Sequence, residues 1–247
     1  MFYHQKIAVV IPCYKVRSQI LNVLAKIGDE IALIYVVDDA CPEKSGFWVQ
    51  EQCKDPRVKI LFHSKNRGVG AATMTGFKEA MKDGADIIVK IDGDGQMDPV
   101  LIPQFVYPIA NGTAGYAKGN RFFSLSAMVE IPLVRKLGNI FLSFFTKLSS
   151  GYYHIFDPTN GFFAIHSGVA ALLEFEKISS RYFFKSDMLF RLNILDAVVC
   201  DVPMRACYGD EQSSLVISRI VHEFFFKNLR NFSKRIFYNS LIGKPLV

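Results

Sequence analysis

Asp86-Ile87-Ile88-Val89-Lys90-Ile91-Asp92-Gly93-Asp94-Gly95-Gln96 opens as a short apolar run and closes on two carboxylates. Asp86 to Ile91 has the length and composition of a buried strand that ends at Asp92. Carboxylates two residues apart at a strand end can point the same way, because side chains alternate across a strand with period two. The glycines beside them let the backbone turn sharply and let a large ligand come close. Such a pair suits one hard divalent cation, Mg²⁺ or Mn²⁺, held partly by Asp92 and Asp94 and partly by substrate phosphates. Gln96 supplies a further oxygen ligand. The competing reading is a tight acidic turn, since Asp-Gly pairs are common turn residues. The apolar strand in front and the glutamine behind tip the balance to the metal.

Outward from this stretch the same pattern repeats. Lys6 to Ile11 is an apolar run stopped by Pro12, Ile31 to Val37 ends in Asp38-Asp39, and Val58 to Phe62 is a third run. Ala114 to Lys118 ends in Gly119-Asn120-Arg121. The intervening segments read as helices, most clearly Val69 to Lys82, where Ala72, Gly76, Ala80 and Met74, Phe77, Met81 recur at helical spacing. Alternating strands and helices predict an α/β fold with a mainly parallel sheet. In such a sheet the ligand crevice lies beyond the carboxyl ends of the strands, so the polar residues collected there should converge on one cleft.

Several of these residues are candidate donor contacts. One carboxylate of Asp38 and Asp39 could accept hydrogen bonds from a nucleobase or ribose, or could cap the helix after Pro42. Pro12 ends the first strand, and Tyr14 just beyond it could lie against a flat base or pack in the core. Asn66-Arg67-Gly68-Val69-Gly70 is similar to a phosphate-cradling loop but lacks the Lys-Ser/Thr of a P-loop. It reads as a strand-to-helix turn, with Arg67 a candidate diphosphate contact.

The second half is less regular. Ile131 to Leu148 reads as an apolar helix, Gly161 to Ile165 as a strand, Asp187 to Leu195 as a helix and Val198 to Val202 as a strand. A long helix follows from Ser214 to about Tyr238. No repeat, low-complexity tract or linker interrupts the chain. The expected organisation is one domain over 1–213 and an appended helix and tail over 214–247.

Composition sets the outer limits. The 247 residues are 50% hydrophobic and 21% charged, ordinary for a globular chain that can bury a large core. A net charge of +6 favours an anionic partner without choosing among nucleic acid, acidic lipid and phosphorylated substrate. The basic residues are dispersed and no nucleic-acid motif is present, which argues against a nucleic-acid module. Cys13, Cys41, Cys53, Cys200 and Cys207 form no C-x-x-C pair, so reduced thiols in a cytoplasmic protein are expected. Nothing reaches the roughly 18 consecutive apolar residues of a spanning helix.

Taken together, Pro12-Cys13-Tyr14, Val37-Asp38-Asp39, Asn66-Arg67-Gly68 and Asp92-Gly93-Asp94-Gly95-Gln96 resemble family 2 glycosyltransferases in order and spacing. More narrowly, the chain resembles the polyprenol-phosphate (dolichol-phosphate) sugar synthases. Gly119-Asn120-Arg121 stands where those enzymes carry Gly-Ser-Arg, and Asp157 to Phe162 is similar to their Asp-x-x-Ser/Thr-Gly-Phe segment. Ser186-Asp187-Met188 occupies the place of an acidic residue on the acceptor side. Arg205 to Ser213 is similar to their Arg-x-x-Gly-x-Ser-Lys loop but lacks the lysine, and Asn139 replaces a small hydroxyl residue one turn after Arg135.

The resemblance implies a GT-A fold and an inverting, in-line displacement at the anomeric carbon. Pro12, Tyr14, Asp38, Asp39, Arg67, Asp92 and Gly93 would then bind a UDP- or GDP-sugar, with the metal on Asp92, Asp94 and Gln96. A lipid phosphate acceptor is already ionised and needs cations, for which Arg121, Arg135 and Arg205 are candidates, beside Asn139 and Ser213. A hydroxyl acceptor, as in extension of a lipid-linked oligosaccharide or surface polysaccharide, needs a base, and Asp187 is the candidate. Asp187 could equally cap the helix that follows it.

The terminal helix points to a membrane surface. Phe225, Leu229, Phe232 and Ile236 share one face, and Lys227, Arg230 and Lys234 another. A basic amphipathic helix with an aromatic face lies in lipid headgroups, although the same face could pack on its own domain or on a second copy. The expected location is the cytoplasmic face of a membrane.

Overall fold

A computed structural model describes residues 5–123, 133–205 and 217–241. In chain order the elements are β1 (Ile7–Cys13), α1 (Ile20–Ala25), β2 (Leu33–Asp38), α2 (Ser45–Gln52), β3 (Val58–Phe62), α3 (Val69–Lys82) and β4 (Ile87–Lys90). They continue with α4 (Ile102–Ala110), β5 (Tyr116–Asn120), α5 (Leu133–Ser150), β6 (Phe163–His166), α6 (Ser167–Ala171), α7 (Phe184–Ile194), β7 (Val199–Pro203) and α8 (Ile217–Leu241). The helix expected over Val69 to Lys82 has those bounds, and the strands lie within two residues of expectation.

The strands form one seven-stranded sheet in the order β3-β2-β1-β4-β6-β5-β7. β1 to β4 are mutually parallel where they pair, and β5 is parallel to β7. β6 runs antiparallel to both its neighbours, β4 and β5. β1 is buried at every residue, which explains its continuous apolar run: helices cover both faces of the sheet. Ile7, Val9 and Ile11 pack with α1 and with Ile102, Phe105 and Ile109 of α4. Ala8 and Val10 pack on the other side with Phe77 of α3 and with Phe184, Met188 and Leu192 of α7. A Cβ added at Gly76 would stand 2.3 Å from Val10 Cγ1, so glycine is what lets α3 lie this close to β1.

Strand register brings the site together. Lys90 pairs with Phe163 in the antiparallel β4–β6 ladder, so continuing two residues beyond each end sets Asp92 opposite Gly161. The β5–β6 and β5–β7 ladders extend that row through Asn120 to Pro203.

α8 packs along α5 and across α7. Its buried stripe is Phe224, Asn228, Asn231, Arg235 and Asn239, polar after the first residue. Three of these residues bond inward: Ser149 Oγ donates to Asn228 Oδ1 at 2.6 Å, Asn231 Nδ2 to Asp187 Oδ1 at 3.1 Å, and Arg235 Nη2 to the Leu148 carbonyl at 3.0 Å. The face expected to be apolar is therefore turned partly inward. Phe225, Phe232 and Ile236 flank the stripe half-buried, while Leu229 is exposed with Phe226, Phe237, Tyr238 and Leu241.

Candidate active site

A cleft of about 340 Å³ opens beyond the carboxyl ends of β1, β2 and β4. It is lined by Pro12 and Tyr14 after β1, Asp39 after β2, Asn66 and Gly68 before α3, Asp92 to Asp94 after β4, and Arg181 and Tyr182 before α7. Tyr14 is exposed at its rim. Cys13 also lines it, but burial raises its thiol far above the usual range, so no thiolate is available there.

The two aspartates after β2 divide their work. Asp39 turns to the cleft and builds its edge: Oδ1 accepts from the Arg67 amide at 2.8 Å and Oδ2 from the Gly68 amide at 2.7 Å, while His63 Nδ1 lies 2.7 Å from Oδ1. Asp38 turns the other way and accepts from the amides of Cys41 and Gly46, each at 2.7 Å, which ties down the start of α2. That placement holds the turn into α2, whose N-cap is Lys44, and leaves Asp38 outside the cleft lining. Arg67 is exposed and outside the cleft lining, its backbone rather than its side chain serving Asp39. The glycines around it accommodate protein backbone: Gly68 has φ +97°, and a Cβ there would stand 2.6 Å from the Ser180 carbonyl.

Asp92 and Asp94 both reach the cleft. Asp94 Oδ1 accepts from the Gln96 amide at 3.0 Å, and Gly95 turns the chain at φ +79°. Gln96 itself is not among the lining residues. Gly93 must be small, because a Cβ there would lie 2.9 Å from Ile20 Cδ1. Lys90, whose side chain is 1% exposed, places Nζ 2.5 Å from Asp92 Oδ1. No group of three or more His, Cys, Asp or Glu side chains able to hold a metal exists among the described residues. Two carboxylates at the mouth of a cleft fit a cation completed by substrate phosphates and do not fit one held by protein alone.

On the far side of Asp92 the chain collects cations. Arg121 Nε and Nη2 make a fork to Asp157 Oδ2 and Oδ1, both at 2.7 Å. Burial would raise the Asp157 carboxyl, but the Arg121 guanidinium holds it below the usual range. Lys118, buried, sits 2.8 Å from Asp201 Oδ1. Lys185 in the first turn of α7 keeps partial exposure along its side chain, yet burial pushes its ammonium down to about 8, and the charges of Lys90 and Arg121 push the same way. Arg205 is exposed just past β7, where Met204 N bonds the Asn120 carbonyl at 3.1 Å beside Arg121. Arg135 and Asn139 fall in the first two turns of α5, their side chains outside the described residues, as is Ser213.

Asp187 takes neither of its expected places. It is fully buried within α7 rather than at its cap, which is Phe183. Its Oδ2 accepts from Ser179 N at 2.8 Å and Oγ at 3.1 Å, and its Oδ1 from Asn231 of α8. It joins α7, α8 and the Ser179 loop and does not line the cleft. Lys90, Lys185, Arg181 and Tyr182 were not anticipated; a lysine ending an otherwise apolar buried strand was the one readable signal, at Lys90.

The glycosyl transferase family 2 profile matches residues 8–172. The chain belongs to this family. A family 2 glycosyltransferase is an enzyme of sugar transfer, and the curated relatives bear this out. The chain is 31% identical over 218 residues to the UDP-N-acetylglucosamine--dolichyl-phosphate N-acetylglucosaminyltransferase of Methanococcus voltae, covering 83% of this chain and 86% of the relative. It is 28% identical to the undecaprenyl-phosphate mannosyltransferase of Micrococcus luteus, covering 81% and 82%. Among solved structures, glucosyl-3-phosphoglycerate synthase of Mycobacterium tuberculosis with Mn²⁺, UDP and phosphoglyceric acid superposes with a TM-score of 0.66 at 15% identity, covering 94% of this chain and 79% of that one. The likeness establishes the GT-A fold of this family 2 enzyme. None of its described helices is long and apolar enough to cross a membrane.

Proposed function

We propose that this glycosyltransferase moves a sugar, with inversion, from a nucleoside diphosphate to a polyprenyl phosphate at the cytoplasmic face of a membrane, with Mg²⁺ or Mn²⁺. The observation that carries the reading is the position of Asp92, which lines the cleft while its Oδ2 lies against Gly161, next to the Asn160 that bonds the Asp157 carboxylate of the Arg121 fork. A nucleotide fits the cleft, with its base against Tyr14 and its diphosphate toward Asp92 and Asp94. A divalent cation held there with the diphosphate would stabilise the charge that develops on the leaving group. Arg121 and Arg205 are the cations proposed for an anionic acceptor, and Arg135, Asn139 and Ser213 remain the further acceptor contacts expected from the sequence. A phosphate nucleophile needs no base, which suits a site whose candidate base, Asp187, is buried elsewhere. The acceptors named for the two curated relatives support the same choice.

Membrane contact would come from α8. Its outward Phe226, Leu229, Phe237 and Leu241 are apolar, with Arg230 and Lys234 exposed among them, while polar residues face the domain. That arrangement suits lipid headgroups outside and hydrogen bonds inside. The test is transfer of labelled UDP- and GDP-sugars with Mn²⁺ to polyprenyl phosphate and, in parallel, to the free prenol. The reading expects metal-dependent product on the phosphate alone; product only on hydroxyl acceptors would overturn it.

A further inference from the structure

The cation expected at the donor diphosphate, Arg67, lends its amide to Asp39 and stays outside the cleft lining. Another arginine enters instead. Arg181, from the loop before α7, lines the cleft together with Asp39, Gly68, Asp92 and Asp94. Among the described residues of that lining it is the one lysine or arginine. Its side chain runs along the turn into α3, since a Cβ at Gly68 would stand 2.9 Å from Arg181 Cγ.

The backbone that carries Arg181 is fastened on both sides. The Ser180 carbonyl accepts from the Ala71 amide at 3.0 Å, and the Arg181 carbonyl accepts from the Phe184 amide at 3.0 Å. Ser179 is held in turn by Asp187 Oδ2, which accepts from its amide at 2.8 Å and its hydroxyl at 3.1 Å. The side chain of Arg181 is nevertheless exposed. A guanidinium on an anchored backbone loses less freedom on meeting an anion than one on an unanchored loop.

Charge selects the anion. Asp39, Asp92 and Asp94 put three carboxylates on the lining that Arg181 shares. A diphosphate brought among them is repelled unless cations offset their charge. Lys90 pairs with Asp92 at 2.5 Å, and a divalent ion shared with the phosphates would offset more. Arg181 is the cation of the lining itself, and its planar fork matches the spacing of phosphate oxygens.

We propose that Arg181 is a donor-binding residue whose guanidinium contacts the diphosphate of the nucleotide-sugar, the contact expected of Arg67. The inference rests on the nucleoside-diphosphate donor reading above. The diphosphate is charged before the sugar leaves it, so the contact acts mainly on donor affinity and less on kcat.

The experiment uses the full chain and its Arg181→Ala and Arg181→Lys variants with Mn²⁺. UDP, GDP and the matching nucleosides are titrated in separate arms, and KM is measured for the donor and for polyprenyl phosphate. In Arg181→Ala, affinity for the nucleoside diphosphate that the parent binds should fall about 10-fold or more, with a similar rise in donor KM. Nucleoside affinity and acceptor KM should stay within about 2-fold, and Arg181→Lys should recover part of the loss. Both unliganded variants should melt with the parent, because the side chain is exposed. Unchanged diphosphate affinity in Arg181→Ala overturns the role of Arg181 and leaves the donor reading standing. An equal loss for the nucleoside moves Arg181 to the base and overturns the proposal. A melting temperature lowered along with binding makes Arg181 a brace of its loop and overturns it too. A parent that binds neither UDP nor GDP overturns the donor reading and this inference with it.

Discussion

Lys90 and Asp92 form an ion pair at 2.5 Å in which the lysine side chain is 1% exposed and the aspartate 29%. The two carboxylates of the Asp-x-Asp pair are therefore not equivalent. Asp92 is the counter-charge of a buried ammonium as well as a candidate metal ligand, whereas Asp94 Oδ1 holds the turn by accepting from the Gln96 amide.

Replacing either aspartate with alanine should lower transfer by about 10²-fold or more, the scale for losing charge stabilisation of a leaving group. Only Asp92→Ala leaves Lys90 buried and unpaired, which should cost about 3 kcal/mol of stability. Urea denaturation of both variants checks this; equal stability of the two would contradict the pairing.

Asp187→Asn should behave as a structural variant. It weakens the hydrogen bonds from Ser179 and Asn231, at a cost of about 1–3 kcal/mol. Folded enzyme should keep transfer to a phosphate acceptor within about an order of magnitude, because no step there needs a base. A double-mutant cycle with Asn231→Ala should show coupling of about 0.5 kcal/mol or more. Full stability with activity abolished would restore Asp187 as a base.

Gly76→Ala should destabilise although alanine is the better helix former. Propensity favours the variant by about 1 kcal/mol, but the new methyl would lie 2.3 Å from Val10 Cγ1 in the sheet core. Overpacking costs about 1–3 kcal/mol, so the net change in a denaturant midpoint should be a loss.

The Arg121–Asp157 fork gives stability a definite acid limb. The folded Asp157 carboxyl lies below its ordinary value, so the folded state binds this proton less readily than the unfolded chain. Its contribution is complete above the unfolded pKa of about 3.9 and is lost as pH falls through the lower folded value. Comparing stability against pH for the parent and Asp157→Asn checks the sign: the variant's curve should be flatter in that window.

Serine at Phe226, Leu229 and Phe237 together should reduce sedimentation with vesicles containing anionic lipid several-fold. Stability should change by less than about 0.5 kcal/mol per site, because each side chain is already exposed. A large drop in melting temperature would instead place these residues in a protein contact.

Sequence alone was enough for the alternation of strand and helix, the bounds of α3 and the collection of carboxylates at strand ends. These follow from local periodicity, which each segment carries within itself. The antiparallel direction of β6 was not readable, because an apolar pentapeptide such as Gly161 to Ile165 has no sense until neighbours pair with it. Nor could Asp38 be told from Asp39, or Asp187 from an acceptor-side base. A carboxylate's role depends on which donors other elements bring to it: Cys41 and Gly46 to Asp38, the Arg67-Gly68 turn to Asp39, and Asn231 from α8 to Asp187. Packing of distant segments decided those partners, and with them which charges stand at the cleft and which are sealed inside.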